Sequence, residues 1–202
     1  MRQNKVKVIG VTGGVGAGKS TVLNYIQESC NCRIIFSDQV ANDIKLKGQS
    51  CYEPIVELLS DEILGEDGEI DKKKMAAKIF SDEKLLKQVN EILHPAVNNY
   101  IFGEIEKEKS RKILDYLFIE AALLIENGYD KVVDELWYIY ADEDVRRARL
   151  KASRGYSDEK IDDILKGQLR DEEFRKYADF VIDNSGDEND TKRQIDLKLG
   201  EN

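Results

Sequence analysis

Five short runs rich in Val, Ile, Phe and Tyr punctuate the chain, at residues 6–11, 33–37, 113–119, 135–141 and 180–183. Each gives way to a polar or acidic residue and then to apolar positions three or four apart, the change of period that separates a strand from a helix. The runs are apolar at consecutive rather than alternate positions, which predicts strands buried on both faces, as in a parallel sheet covered by helices. The fold class this implies is α/β with a central five-stranded parallel sheet. Ligands of such sheets sit beyond the carboxyl ends of the strands. Gly13 to Thr21, Asp38 and Glu120 fall at or just past those ends.

The spacing between runs sets the organisation. Residues 39–110 separate the second and third strands, far more than a crossover helix needs. They read as an inserted helical subdomain with helices over 52–59, 72–80, 82–93 and 95–110, Ser81 capping the third and Pro95 in the first turn of the fourth. Glu66-Asp67-Gly68-Glu69 reads as a turn. A second insertion, 142–177, is rich in arginine and predicts a helical lid, with Gly155 ending one helix and Ser157 starting the next. The reading is a single domain: core 1–38, 111–141 and 178–202, helical insertion 39–110 and lid 142–177, with a short final helix in the tail.

The first strand runs directly into Gly13-Gly14-Val15-Gly16-Ala17-Gly18-Lys19-Ser20-Thr21. This fits G-x-x-x-x-G-K-[ST], in which backbone N–H groups wrap phosphate oxygens, the lysine reaches the β and γ phosphates and the hydroxyl takes Mg²⁺. The helix that follows turns its positive end toward the anion. Gly14, Val15, Gly16, Ala17, Gly18, Lys19, Ser20 and Thr21 are thus expected to hold ATP, with Ser20 on Mg²⁺. Strand, loop and helix in this order predict a P-loop NTPase three-layer fold.

Phosphoryl transfer asks for charge neutralisation and an acceptor oxygen held in line. Asp38 reads equally well as a general base for an acceptor hydroxyl or as a cap on the helix after it. Of the lid arginines, Arg149 and then Arg154 are the candidates to close over the triphosphate, although any one of them also reads as an ion-pair partner on a solvated helix. Between Ile34 and Ser110 there is no arginine. A phosphate acceptor would call for forked guanidinium donors there, so the acceptor is expected to offer a hydroxyl. His94, the one imidazole, reads first as structural and second as a pocket residue. Asp183-Asn184-Ser185-Gly186 reads as a turn beside the nucleotide base, and Trp137 and Tyr138 as strand packing.

Composition narrows the partners. Hydrophobic residues are 41% and charged residues 35%, a globular balance, and the net charge of −9 disfavours nucleic acid and anionic membranes. An anionic substrate then needs a local cationic pocket. Cys30, Cys32 and Cys51 lack the spacing of a zinc site and read as reduced thiols. No run reaches the length of a membrane span or resembles a signal peptide, so a cytoplasmic location is expected.

In combination these residues resemble the dephospho-CoA kinase family over nearly the whole chain. The resemblance rests on Val11 to Thr21, Asp38, Ile70-Asp71 leading to Ile79-Phe80, Leu93-His94-Pro95, Leu123-Leu124-Ile125-Glu126, and Ala178 to Gly186. It implies ATP and Mg²⁺ as donor and metal and dephospho-CoA as small-molecule acceptor through its ribose 3′-hydroxyl; a monomer or weak homo-oligomer is the expected state. It further implies Lys19, Asp38 and Arg149 as catalytic, Arg149 and Asn184 at the nucleotide, and Asp38, Lys72, His94, Leu123 and Glu126 at the acceptor, held by the first insertion. Three places depart from the family pattern. Glu120-Ala121-Ala122 stand where Asp-hydrophobic-Pro is common, leaving Glu120 a water-mediated Mg²⁺ role. Lys72 stands where Arg is frequent, and Ser153-Arg154 place an arginine one position late. A nucleoside or nucleotide kinase, and a regulatory NTP-binding switch, are the competing readings; acceptor-dependent ADP release separates the three.

Overall fold

The computed structural model describes residues 5–121, 124–125 and 128–200. In chain order the elements are β1 (Lys7–Thr12), α1 (Lys19–Ser29), β2 (Cys32–Phe36), α2 (Ser37–Asp43), α3 (Tyr52–Leu59), α4 (Lys72–Phe80), α5 (Glu83–Arg111), β3 (Tyr116–Glu120), β4 (Glu135–Tyr140), α6 (Glu143–Arg154), α7 (Asp158–Lys166), α8 (Asp171–Tyr177), β5 (Phe180–Asp183) and α9 (Glu188–Gly200). The strands form one five-stranded sheet in the order β2-β3-β1-β4-β5. β1 pairs in parallel with β3, Val11 opposite Glu120, and with β4, Thr12 opposite Tyr138. The chain returns past β1 to build the sheet on its other side, so the strand order reverses there, and the crevice at such a reversal is where open α/β sheets bind ligands.

Two compact units divide the chain, residues 1–34 with 108–202, and residues 35–107. In the first, burial on both faces of the sheet explains the consecutive apolar positions. One cluster joins Ile9, Val11, Phe118, Trp137, Ile139 and Ile182 to Val22, Leu23 and Ile26 of α1 and Ile195 of α9. The Trp137 ring meets Phe118 and Phe180 edge-on at 5.5 and 5.2 Å, and Tyr138 stacks on Phe174 at 4.7 Å. Both aromatics are strand packing, as their place in an apolar run suggests. Gly155 ends α6 in the left-handed region at φ 63°, and the Ser157 side chain caps α7 by accepting from the Lys160 N–H.

The second unit is helical. Ile44, Ile55, Leu59, Ile63, Met75 and Val89 are buried in it. The turn at residues 66–69 is closed by a Leu64–Ile70 bridge and by the Glu69 N–H donating to Asp67 Oδ1 at 3.0 Å. Two sequence expectations are corrected here. Residues 82–93 and 95–110 form one helix, α5, with Pro95 inside it. Proline removes one N–H and crowds the carbonyl four residues back. Both Pro95 and Glu91 are exposed, which leaves water to serve that carbonyl, while buried Val89, Ile101 and Ile105 anchor the helix on either side. The cap of α5 is Asp82, whose carboxylate accepts from the Lys84 and Leu85 N–H groups at 2.8 and 3.2 Å. Ser81 closes α4 instead, its hydroxyl donating to the Lys78 carbonyl.

Candidate active site

The loop after β1 is shaped by glycine where nothing else fits. A Cβ on Gly13 would lie 2.5 Å from the Ile139 backbone oxygen. Gly18 holds φ 89° as the cap residue just before α1, and a Cβ there would run into the Asn184 amide. No side chain caps α1. Its first-turn N–H groups are therefore a place for an anion, reinforced by the helix dipole. The Lys19 ammonium donates to the Gly13 carbonyl at 2.8 Å and lies 3.6 Å from Glu120 Oε1, both side chains largely buried. Its charge is thus stored at the cradle against a carboxylate from the neighbouring strand.

Helix α6 and the segment after β5 brace this cradle. Arg149 donates to the Ala17 carbonyl at 3.2 Å and to the Asn184 carbonyl at 2.8 Å. The Asn184 side chain, itself buried, donates to the same Ala17 carbonyl at 2.8 Å and accepts from Thr191 Oγ1 at 3.0 Å. Its amide is spent on fixing the loop to β5, which differs from a turn that merely borders the base. Arg146 was not singled out by the sequence, yet it reaches the loop directly. Its Nε donates to the Val15 carbonyl at 2.9 Å and its terminal nitrogen to Gln168 Oε1 at 2.7 Å, while Gln168 accepts from the Val15 N–H. Burial pulls the Arg146 guanidinium below its ordinary range. The signal for it was helical spacing, since Arg146 and Leu150 are four apart and Leu150 is the buried residue of α6. Arg147 is committed to Glu143 and Asp162, and Arg154 is exposed 5.8 Å from the Tyr156 ring.

Hard oxygen donors suit Mg²⁺, which keeps several waters and takes one or two protein ligands beside substrate phosphates. Among the described residues no group of three His, Cys, Asp or Glu could hold a metal alone. The Ser20 hydroxyl at the start of α1 and the Glu120 carboxylate fit an ion held mainly by phosphate and water.

In the helical unit, Asp38 stands in the first turn of α2, exposed, and the cap position is Phe36. Among the described residues its carboxylate has no hydrogen bond or ion pair, so the capping alternative is not realised. Lys72 begins α4 behind Asp71, whose carboxylate accepts from the Lys73 and Lys74 N–H groups and is held below the usual carboxylate range by them. Lys72 lines a cavity of about 300 Å³ with Lys45, Ile79 and Leu93, whereas His94 is exposed on α5. Leu123 and Glu126 lie outside the described residues. A hollow of the first unit, about 910 Å³, is lined by Lys5, Cys30 and Asp115 among others, with no residue of the 13–21 loop among its described lining.

A sequence model of the dephospho-CoA kinase family matches residues 7–190. The dephospho-CoA kinase of Aquifex aeolicus is 40% identical over 191 residues, 94% of each chain, and that of Carboxydothermus hydrogenoformans 37% identical over 188 residues, 93% of this chain and 90% of its own. Among solved structures, TT1252 from Thermus thermophilus superposes with a TM-score of 0.79 at 28% identity and 97% coverage of both chains. Shikimate kinase from Acinetobacter baumannii, with a TM-score of 0.52 at 16% identity over 98% of this chain and 93% of its own, shares the fold. With a phosphate cradle at the sheet's reversal point and this match along almost its full length, the chain belongs to the dephospho-CoA kinase family, which phosphorylates dephospho-CoA with ATP in the last step of coenzyme A synthesis.

Proposed function

We propose that the phosphoryl group passes to the ribose 3′-hydroxyl of dephospho-CoA and that Asp38 is the base. The observation that carries this is the exposed Asp38 carboxylate, without a hydrogen bond or ion pair among the described residues, one residue into α2 and directly after the carboxyl end of β2. Asp38 accepts the hydroxyl proton as the oxygen attacks the γ-phosphorus, and the bond from that phosphorus to the bridging oxygen breaks to release ADP. Lys19 exchanges Gly13 and Glu120 for the β and γ oxygens, and the loop N–H groups hold the rest of the triphosphate. Arg149 neutralises charge on the moving group, with Arg146 and Asn184 keeping the cradle in shape. Ser20, with Glu120 through water, would hold Mg²⁺, which supplies Lewis-acid neutralisation of the phosphate oxygens. Residues 39–110 hold the acceptor, with Lys72 and His94 on its path, and residues 142–177 act as the lid that excludes water. Among the described residues no helix is long and apolar enough to cross a membrane. A cytoplasmic enzyme, monomeric or weakly self-associating, completes the reading.

Asp38→Asn keeps the shape and removes the base. Its kcat is expected to fall roughly 10²–10⁴-fold, the range of positioned acid–base groups, with ATP affinity unchanged. Near-normal turnover would remove Asp38 from the role.

A further inference from the structure

Helix α1 ends in a pair of thiols. Cys30 follows its last residue with extended backbone, and Cys32 opens β2 two residues on. An extended path turns the side chains of residues i and i+2 to the same side. Both sulfurs accordingly point at one backbone atom: Cys30 Sγ donates to the Ile26 carbonyl at 3.4 Å and Cys32 Sγ to the same oxygen at 3.8 Å, and the two thiols are in hydrogen-bonding contact with each other. The residue between them is fixed. The Asn31 carbonyl accepts from the Asp115 and Tyr116 N–H groups at 3.0 and 3.3 Å, and its side-chain amide donates to the Ile113 carbonyl at 2.8 Å. Neither thiol is needed to satisfy Ile26, whose carbonyl also accepts the Cys30 N–H at 3.2 Å. Both thiols are half-buried, and Cys30 lines the hollow of about 910 Å³, so the pair is reachable from solvent.

We infer that Cys30 and Cys32 form a two-coordinate site for a soft monovalent cation such as Cu(I). Thiolates are the ligands that soft ions select. A closed-shell monovalent ion is satisfied by two of them in line, whereas structural zinc takes a tetrahedral set of four ligands. Among the described residues no group of three His, Cys, Asp or Glu comes together, even with Asp115 in the same hollow, so the four-ligand alternative lacks its donors. Lys5 and Lys7 balance Asp115 and Asp196 in the lining, and the hollow therefore selects by sulfur rather than by charge. On binding, both S–H groups release their protons to water as two Cu–S bonds form; the copper stays Cu(I) and no electron is transferred. The clamp on Asn31 holds the two sulfurs on one side in advance, which lowers the ordering cost of binding. The site lies at the opposite end of α1 from the phosphate loop, 11 residues away along the helix, or about 16 Å. It is independent of how the acceptor is held.

The test is anaerobic titration of the intact, reduced protein with Cu(I), supplied as its complex with a coloured chelator whose bleaching reports uptake. The wild-type protein is expected to take one Cu(I) per chain, with X-ray absorption showing two sulfur neighbours. Cys30→Ser and Cys32→Ser are each expected to weaken uptake roughly 100-fold or more, since even the outer partners of a metal ligand are worth about 10–100-fold. Cys51→Ser, which removes the buried thiol of the helical unit, should leave uptake unchanged. Should serine disturb folding, which thermal melting reports, Cys30→Ala and Cys32→Ala remove the ligand without adding a hydroxyl. ATP affinity measured by calorimetry should be the same with and without bound Cu(I). Wild-type uptake in folded Cys30 and Cys32 variants, oxygen or nitrogen neighbours in place of the two sulfurs, or competition between Cu(I) and ATP overturns the assignment.

Discussion

Lys19 is held by Gly13 and Glu120, and in the proposed mechanism it trades both for phosphate. Lys19→Met should therefore lower kcat/KM roughly 10²–10³-fold, the cost of losing one preorganised charge at the transition state, in a steady-state assay of ADP release. Gly18→Ala places a Cβ in a left-handed backbone and against Asn184, so the fold should lose about 1–3 kcal/mol, seen as a lower Tm, together with ATP binding. Lys45 gives the pH dependence. Its pKa is below 10.5 in the folded chain, so the unfolded chain binds more protons between the two values. Stability contributed by this group therefore rises with pH through that window. Lys45→Met should lack that rise, read as Tm against pH. The sequence disclosed Lys19, Ser20 and the glycines because the chemistry fixes their spacing along one turn. It could not disclose Lys45 or Arg146, whose meaning comes from what three-dimensional packing puts beside them.

At the level of elements, α6 separates four arginines that look alike in sequence. Arg146 and Arg149 reach loop carbonyls, Arg147 pairs with acids and Arg154 is exposed. Arg149→Lys keeps the charge and loses the fork, so kcat/KM should drop about 10²-fold, whereas Arg154→Lys should leave it within a factor of about two. Equal losses in the two variants would mean that α6 acts through its overall charge. Helix ends were legible wherever a residue has a dedicated job, as with Gly155 and Ser157. Pro95 was misleading because the rule against proline in a helix is local, while the buried apolar positions that hold α5 together lie on both sides of it. Ser81 and Asp82 are both good caps, and only the backbone path decides between neighbours.

On the scale of the molecule, a net charge of −9 surrounds a cradle where Lys19, Arg146 and Arg149 donate to three loop carbonyls, those of Gly13, Val15 and Ala17. In the proposed function, triphosphate is captured by that local concentration and not by long-range attraction. The parallel sheet was legible because strands buried on both faces cannot hide their composition, and the strand order places β1 at the reversal point that the loop requires. How the acceptor meets the donor was not legible, since it depends on residues far apart in sequence. The central claim is that Asp38 serves the ribose 3′-hydroxyl. A crystal structure with a non-hydrolysable ATP analogue and dephospho-CoA measures it directly: the account predicts an Asp38 carboxylate oxygen within about 2.6–3.2 Å of the 3′-oxygen, or one water away. A carboxylate turned from the ribose, with another group on that oxygen, would contradict it.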